Sequence, residues 1–292
     1  MTTHVVIMAG GIGSRLAPLS TPEHPKQFID LLGCGKTLIQ LTYERFLKLD
    51  PKAVFWVVTS KEYVHFVHEQ LPSIDDDYIL AEPVARNTAP CIAYACRKIW
   101  KRFSDANIVV TPADAYVPDA EAFSLTIKKA LLFTAASMSL MCVGVTPTSP
   151  HTGYGYIKCD RTDKAIVPVA SFKEKPDLET AKRFLEEGGY FWNAGIFVWN
   201  ARAIDSALRR YAPDIAARMD MLEPSMYTDA EAGALAEIFP TCEKISIDYA
   251  VMEKSDDVFV IHADWFWSDL GSFEALEQIT GKKVEINLEN CS

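Results

Sequence analysis

Residues 4–16 read His4-Val5-Val6-Ile7-Met8-Ala9-Gly10-Gly11-Ile12-Gly13-Ser14-Arg15-Leu16, and Pro25-Lys26 follows shortly after. The apolar, β-branched run predicts a buried strand that opens into a glycine-rich turn. Glycines let the backbone come close to a ligand and take φ > 0 at little cost. Backbone N–H groups in such a turn, with a helix start behind them, form a cradle for anions. A strand-to-helix turn without a ligand would look the same in its glycines. Arg15 and Lys26 add two full positive charges and turn the reading toward phosphate, and toward a triphosphate more than a single pyrophosphate.

Two familiar phosphate motifs fail on spacing. A dinucleotide fingerprint G-x-G-x-x-G starting at Gly11 would need glycine at Leu16, and a Walker loop ending in Gly35-Lys36-Thr37 would need glycine at Asp30. Working outward, strands are predicted at 5–8, 54–59, 78–81, 107–111 and 140–145, with helical patterns between them. Tyr63, Phe66, Val67 and Leu71 share one helix face, Ile92, Cys96, Ile99 and Phe103 another, and residues 119–136 make a third helix. This alternation predicts a doubly wound α/β sheet, mostly parallel, with helices on both faces. The second half is less regular. Strands are predicted at 154–158, 165–172, 190–199 and 257–262, and helices at 177–187, 201–219, 229–238 and 272–279. One domain over 1–280 and a short tail over 281–292 are expected.

The chain has 292 residues, 49% hydrophobic and 23% charged, with net charge −10. These are the proportions of a soluble globule, and the acidic balance argues against a nucleic-acid or anionic-membrane binder. Anionic substrates would then need local cations or a metal. The seven cysteines (34, 91, 96, 142, 159, 242 and 291) contain no C-x-x-C pair. They read as reduced thiols packed as small hydrophobes in a cytoplasmic protein. No signal peptide is visible, and the longest apolar stretch, 131–145, reads as a helix end followed by a strand rather than a membrane span.

In open α/β sheets ligands bind beyond the carboxyl ends of the strands. Three polar clusters fall at such ends: residues 10–15 after the first strand, 82–88 after the third, and Asp114 after the fourth. Asp114 has the setting of a Mg²⁺ ligand, or of an Asx turn. Asn87 or Thr88 reads locally as a helix N-cap with Pro90 in the first turn. His65 and His68, three apart on a helix, have no third ligand nearby and read as surface residues.

The stretch Gly10-Gly11-x-Gly13-x-Arg15-Leu16-x-Pro18-Leu19-Ser20 with Pro25-Lys26-Gln27-Phe28 resembles the signature of the sugar-1-phosphate nucleotidylyltransferases, most closely those that act on mannose 1-phosphate. Further segments are similar to the family's motifs: 82–90 (E-P-x-x-R-N-T-A-P), 151–157 around T-G-Y-G-Y-I, 172–176 (F-x-E-K-P), 192–197, 246–254 and 267–272 (W-x-D-x-G-S). The resemblance implies a Rossmann-like core and transfer of GMP from GTP to α-D-mannose 1-phosphate, with release of pyrophosphate. It implies that Gly10, Gly11, Gly13, Ser14, Arg15, Glu82, Asn87 and Thr88 hold the nucleotide. It assigns the sugar phosphate to Gly153, Glu174, Lys175, Asn193 and Asp248, and Mg²⁺ to Asp114 and Asp269. Arg15, Lys26, Lys175 and Asp114 would be catalytic.

Each of these segments also has a plain structural reading. Glu174 and Lys175 lie in a charge run that could be a solvated strand end. Asp269 could cap the helix at 272–279, and Asp248 could cap a helix or line the site. Ala115 stands where family members usually carry histidine. The resemblance allows a homodimer. The alternatives are another sugar phosphate or nucleotide, and a catalytically silent nucleotide-sugar-binding regulatory subunit.

Overall fold

The first strand, β1 (Thr2–Met8), alternates its side chains between two separate cores, and that alternation organises the protein. Val5 and Ile7 pack into one apolar cluster and Val6 into the other, and all three are fully buried. A strand buried on both faces is continuously apolar, which is why this run reads as it does. The computed structural model describes residues 1–160 and 163–283. The tail expected at 281–292 therefore lies mostly outside the described residues, as does Cys291.

The other strands are β2 (Val54–Ser60), β3 (Ile79–Glu82), β4 (Ala106–Pro112), β5 (Leu140–Val145), β6 (Tyr156–Lys158), β7 (Ile166–Pro168), β8 (Ser171–Lys173), β9 (Tyr190–Asn200) and β10 (Val258–Ala263). They form one ten-stranded sheet in the order β3-β2-β1-β4-β9-β5-β10-β7, with β6 pairing β8 and β9 beside it. Strands β3, β2, β1 and β4 run parallel, with Val5 opposite Phe55 on one side and Val109 on the other. Strand β9 is antiparallel to both β4 and β5, and β10 is again parallel to β5.

Helices cover both faces. Residues of α3 (Thr88–Arg102), α6 (Ala201–Tyr211), α7 (Pro213–Leu222) and α8 (Glu231–Ile238) join Trp56 and Trp199 in one core. On the other face α1 (Leu38–Leu49), α2 (Val64–Gln70), α4 (Ala120–Ala135) and α5 (Leu178–Glu187) contribute Phe46, Phe66, Phe123 and Phe184 to the second core. The last helix, α9 (Phe273–Thr280), packs Leu276 against Leu38 and Leu270.

Two expected elements are split. The helix expected over 201–219 breaks at Ala212, because Pro213 cannot continue a helix but fits the first turn of the next. The strand expected over 165–172 becomes two, because neighbouring backbone groups turn to different partners: Val169 N–H donates to Val258 and Ala170 N–H to Lys158. The apolar stretch 131–145 is a helix end followed by β5, as its serines and threonine suggest. Among the described residues no helix is long and apolar enough to cross a membrane. The six described cysteines are free thiols, five buried and Cys34 exposed.

Candidate active site

The glycine turn leaves the carboxyl end of β1 and is tied down from several directions. Gly13 has φ +69, a left-handed conformation that a side chain would strain, and a Cβ there would lie 2.8 Å from Lys26 Cγ. The Gln27 amide donates to the carbonyls of Ala9 (2.9 Å) and Gly11 (2.8 Å), and Ser20 Oγ donates to the Ile12 carbonyl (2.6 Å). Thr59 Oγ1 adds a second donor to Ala9. Ser14 and Arg15 open the short 3₁₀ turn that follows. The loop is therefore held open by side chains behind it.

Lys26 is the centre of the first cluster. Its residue is only 6% exposed, and its ammonium sits 2.9 Å from Asp114 Oδ2 and 2.6 Å from the Asp269 carbonyl oxygen. Asp114 follows β4 and Asp269 follows the tryptophan-rich segment after β10, so strands on both sides of β9 supply this pair. Both oxygens of the Asp269 carboxylate have partners. Oδ1 accepts from Tyr154 Oη (2.8 Å) and Gly271 N (2.9 Å), and Oδ2 faces Arg15 Nη2 at 3.3 Å. Ser272 is the N-cap of α9, accepting from Ala275 N, so Asp269 is free of the capping role. Among the described residues Asp114 caps no helix, and its partner is Lys26. Ala115 is buried, and its carbonyl accepts from Arg45.

Beside this cluster a cavity of about 380 Å³ is lined by Gly10, Gly11, Glu82, Asn87, Thr88 and Asp114, among others. Asn87 is the N-cap of α3, accepting from Thr88 N at 2.8 Å with φ +66, and Pro90 lies in the first turn. The local capping reading and the place in the cavity are both correct. Thr88 Oγ1 accepts from Ile247 N (2.9 Å), which ties the loop before the 248 turn to this cavity. Glu82 is buried, its Oε1 has no hydrogen-bond partner, and burial pushes its carboxyl up to about 7. A buried acceptor left without a partner on a cavity wall is available to a ligand's N–H groups.

The second cluster lies across residues 153–155. A Cβ on Gly153 would come 3.5 Å from Arg15 Nη1, and one on Gly155 would come 2.5 Å from Glu174 Oε2 and 3.4 Å from Asn193 Cβ. Glycine at 155 is thus required by close packing. Lys175, at φ +43, pairs with Glu174 at 2.7 Å; its side chain is 62% exposed while that of Glu174 is 9% exposed. Asn193 is placed by a bulge in β9, where register shifts opposite Cys142 and Gly144, and its Oδ1 accepts from Gly195 N. Its Nδ2 donates to Asp248 Oδ1 at 2.9 Å. Asp248 opens a π-helical turn, Asp248–Met252, without capping it by its side chain. Burial, and then the nearby Glu174 charge, push the Asp248 carboxyl up to about 7.

Every site residue predicted from the sequence therefore falls in one of two adjoining clusters. Three neighbours were not predicted. Gln27 lies inside the Pro25–Phe28 motif, where a buried polar residue beside Lys26 was a usable signal. Tyr154 lies inside the glycine-tyrosine motif, but its partner Asp269 is 115 positions away. Lys244 lines the cavity from a segment with no motif. His65 and His68 are exposed on α2, as expected.

Among the described residues no three histidine, cysteine, aspartate or glutamate side chains form a metal-holding group. Lys26 meets the Asp114 carboxylate and the Asp269 main-chain carbonyl, which sets two residues with hard carboxylate oxygens on either side of it, and a cation that also takes phosphate oxygens needs only one or two protein carboxylates. The residues present fit Mg²⁺.

A sequence profile described as nucleotidyl transferase matches residues 4–285. The chain is 38% identical over 97% of its length to a mannose-1-phosphate guanylyltransferase of Salmonella montevideo, and 36% identical to one of Escherichia coli K12. It spans about three-fifths of the length of these curated relatives (61% of each). Among solved structures it is similar to one described as mannose-1-phosphate geranyltransferase from Thermus thermophilus, with TM-score 0.86 and 31% identity, covering 97% of this chain and 80% of that one.

Proposed function

The chain belongs to the nucleotidyl transferase family, and from that premise we propose that it transfers GMP from GTP to α-D-mannose 1-phosphate, giving GDP-mannose and pyrophosphate. The observation that carries this reading is the Lys26 ammonium, held between Asp114 and Asp269 at the end of the glycine turn. It joins a triphosphate cradle to the Asp114 carboxylate and to the main chain of Asp269 in one place.

In this mechanism an oxygen of the sugar phosphate attacks the α-phosphorus of GTP in line. The new P–O bond forms as the bond to the bridging α–β oxygen breaks, and that electron pair leaves with pyrophosphate. No covalent enzyme intermediate is needed, so catalysis is positioning and charge neutralisation. The turn at Gly10, Gly11 and Gly13 offers backbone donors to the phosphates, and Ser14 starts the helical turn behind them. Arg15 leaves Asp269 to hold the β- and γ-phosphates. Lys26 faces the α-phosphate, where charge shifts during transfer. Lys175 gives up Glu174 to receive the sugar phosphate, bringing one anion toward another. Asp114 and Asp269 would hold Mg²⁺, which when bound would supply further neutralisation of phosphate charge.

The unpartnered Glu82 acceptor suits the N–H donors on a guanine edge, and Asn87 and Thr88 border the ribose. Glu174, Asn193 and Asp248 hold sugar hydroxyls. The same reading treats 1–280 as one catalytic unit and places the protein in the cytoplasm, working without nucleic acid or membrane and compatible with a homodimer.

The test crosses GTP, ATP, UTP and dTTP with mannose, glucose and fucose 1-phosphates in the presence of Mg²⁺ and follows pyrophosphate release. Release with GTP and mannose 1-phosphate well above every other pair is expected. Release with another pair would reassign the substrates. Silence across the grid with GDP-mannose still bound would make the protein a regulatory subunit.

A further inference from the structure

The Asp269 carboxylate has an unusual support. Its chain neighbours hold it from one side only, through Gly271 N, and its own segment offers nothing else to fix the side-chain rotation. The second donor to the same oxygen is the Tyr154 hydroxyl at 2.8 Å, from the loop that leads into β6, 115 positions away. That tyrosine is itself locked. Its ring stacks on His151 with centroids 3.8 Å apart and planes at 14°, and it meets Trp192 and Trp267 edge-on at 5.1 and 5.0 Å. His151 is fixed in turn, because its Nδ1 accepts from Gly153 N at 3.1 Å and its carbonyl accepts from Tyr156 Oη at 3.0 Å. Aromatic contacts beyond hydrogen-bond partners are a rigid way to aim one hydroxyl.

We infer that Tyr154 is a positioning residue that aims Asp269: the tyrosine hydroxyl, braced by His151, Trp192 and Trp267, holds the carboxylate in the orientation that receives a divalent cation. The inference rests on the reading of Asp269 as a cation ligand. Groups that orient a metal-binding side chain from behind commonly contribute as much to affinity as weaker ligands do. The arrangement also has a direction. Tyr154 is flanked by Gly153, where a Cβ would meet His151 at 2.8 Å and Arg15 at 3.5 Å, and by Gly155, where one would meet Glu174 at 2.5 Å, so the sugar-facing loop carries the brace for the metal-facing carboxylate. Ordering of that loop around a sugar phosphate would then tighten the cation site, and by reciprocity the cation would tighten sugar-phosphate binding.

The experiment uses Tyr154→Phe, which keeps the stacked ring and removes only the hydroxyl. Mn²⁺ binding is followed by water-proton relaxation enhancement in the full chain with a GTP analogue carrying an α,β-methylene bridge. The expected result is a Mn²⁺ dissociation constant raised about tenfold, with thermal melting near that of the unmodified protein. His151→Ala, which keeps the hydroxyl and loosens its brace, should give a smaller increase. Asp269→Asn is the control. If Asp269→Asn abolishes Mn²⁺ binding while Tyr154→Phe leaves it within about twofold, the positioning role is overturned and the metal assignment stands. If Asp269→Asn also leaves Mn²⁺ binding unchanged, the metal assignment fails and the inference fails with it. A Tyr154→Phe variant that loses only affinity for the sugar phosphate would make the tyrosine a sugar contact and overturn the inference.

Discussion

In the proposed reading, mainly backbone N–H groups and permanent cations face the nucleotide, and mainly carboxyl groups face the sugar. The loops after β1, β3 and β4 offer glycine N–H groups, Arg15 and Lys26, and both cations already rest on carboxylates. The loop after β8, the bulge in β9 and the turn at 248 offer Glu174, Asn193 and Asp248, with one exposed cation, Lys175. A triphosphate presents charge and little shape, so it is held by point charges and by N–H groups that cannot rotate away. A hexose presents hydroxyls in a fixed pattern, so it is read by acceptors whose positions must be defined. The first side depends on charge and the second on geometry and protonation.

Removing charge from the nucleotide side should give the largest effect. Lys26→Ala leaves Asp114 without its cation and removes the donor facing the α-phosphate. It should lower kcat by about 10²–10³-fold, a loss of the size seen for one transition-state donor, with little change in the KM for the sugar phosphate. Steady-state pyrophosphate release checks it, and an effect confined to sugar-phosphate KM would move Lys26 to the other side of the comparison. A geometric insult to the nucleotide side should cost less. Gly13→Ala places a Cβ 2.8 Å from Lys26 Cγ at φ +69. It should lower kcat/KM for GTP about tenfold or more through displacement of Lys26. It should also cost about 1–2 kcal/mol of stability from the left-handed backbone, measured by chemical denaturation.

The smallest expected effect probes protonation on the sugar side. Burial and Glu174 raise the Asp248 carboxyl from 3.8 to about 7 in the folded protein, with Lys175 opposing. The folded state therefore holds a proton that the unfolded chain has released between about pH 4 and 7. The stability linked to this proton is fully present below the unfolded value and is lost as pH rises through 7. Asp248→Asn, which keeps an acceptor for Asn193, should raise stability by about 1–3 kcal/mol at pH 8 and flatten the dependence of melting on pH between 5 and 8. Glu82, shifted in the same direction, leaves part of the slope in place. Equal slopes in the variant and the unmodified protein would remove Asp248 from the account.

The same division explains what could be read from the sequence. The nucleotide side is made of local signals: a strand, its glycines and the first charges after it lie within a few residues, and each polar cluster marks a strand end. The sugar side is assembled at a distance. Asn193 meets Asp248 across 55 positions and Tyr154 meets Asp269 across 115, and neither pairing leaves a spacing that periodicity can detect. Those residues were recognisable only through resemblance of their motifs. The two split elements failed for a related reason. Pro213 breaks a helix within a continuous apolar pattern, and the partner change at Val169 and Ala170 depends on β6 and β10, both distant in sequence.

Strand β9 carries a consequence for anyone who would redirect this protein to another acceptor by laboratory evolution. It is eleven residues long, central in the sheet, paired with β5 along one edge and with β4 and β6 along the other. Its bulge delivers Asn193, and Asn200 at its far end caps α6 by accepting from Ala203 N. A one-residue insertion or deletion between Asn193 and Phe197 would reverse the facing of Phe197 and Trp199 relative to Trp192. The route to new acceptors would therefore run through the segments at 174–176 and 244–247, since connecting segments accept substitution more readily than the elements they join. Libraries should leave β9 untouched and vary the partners that meet it.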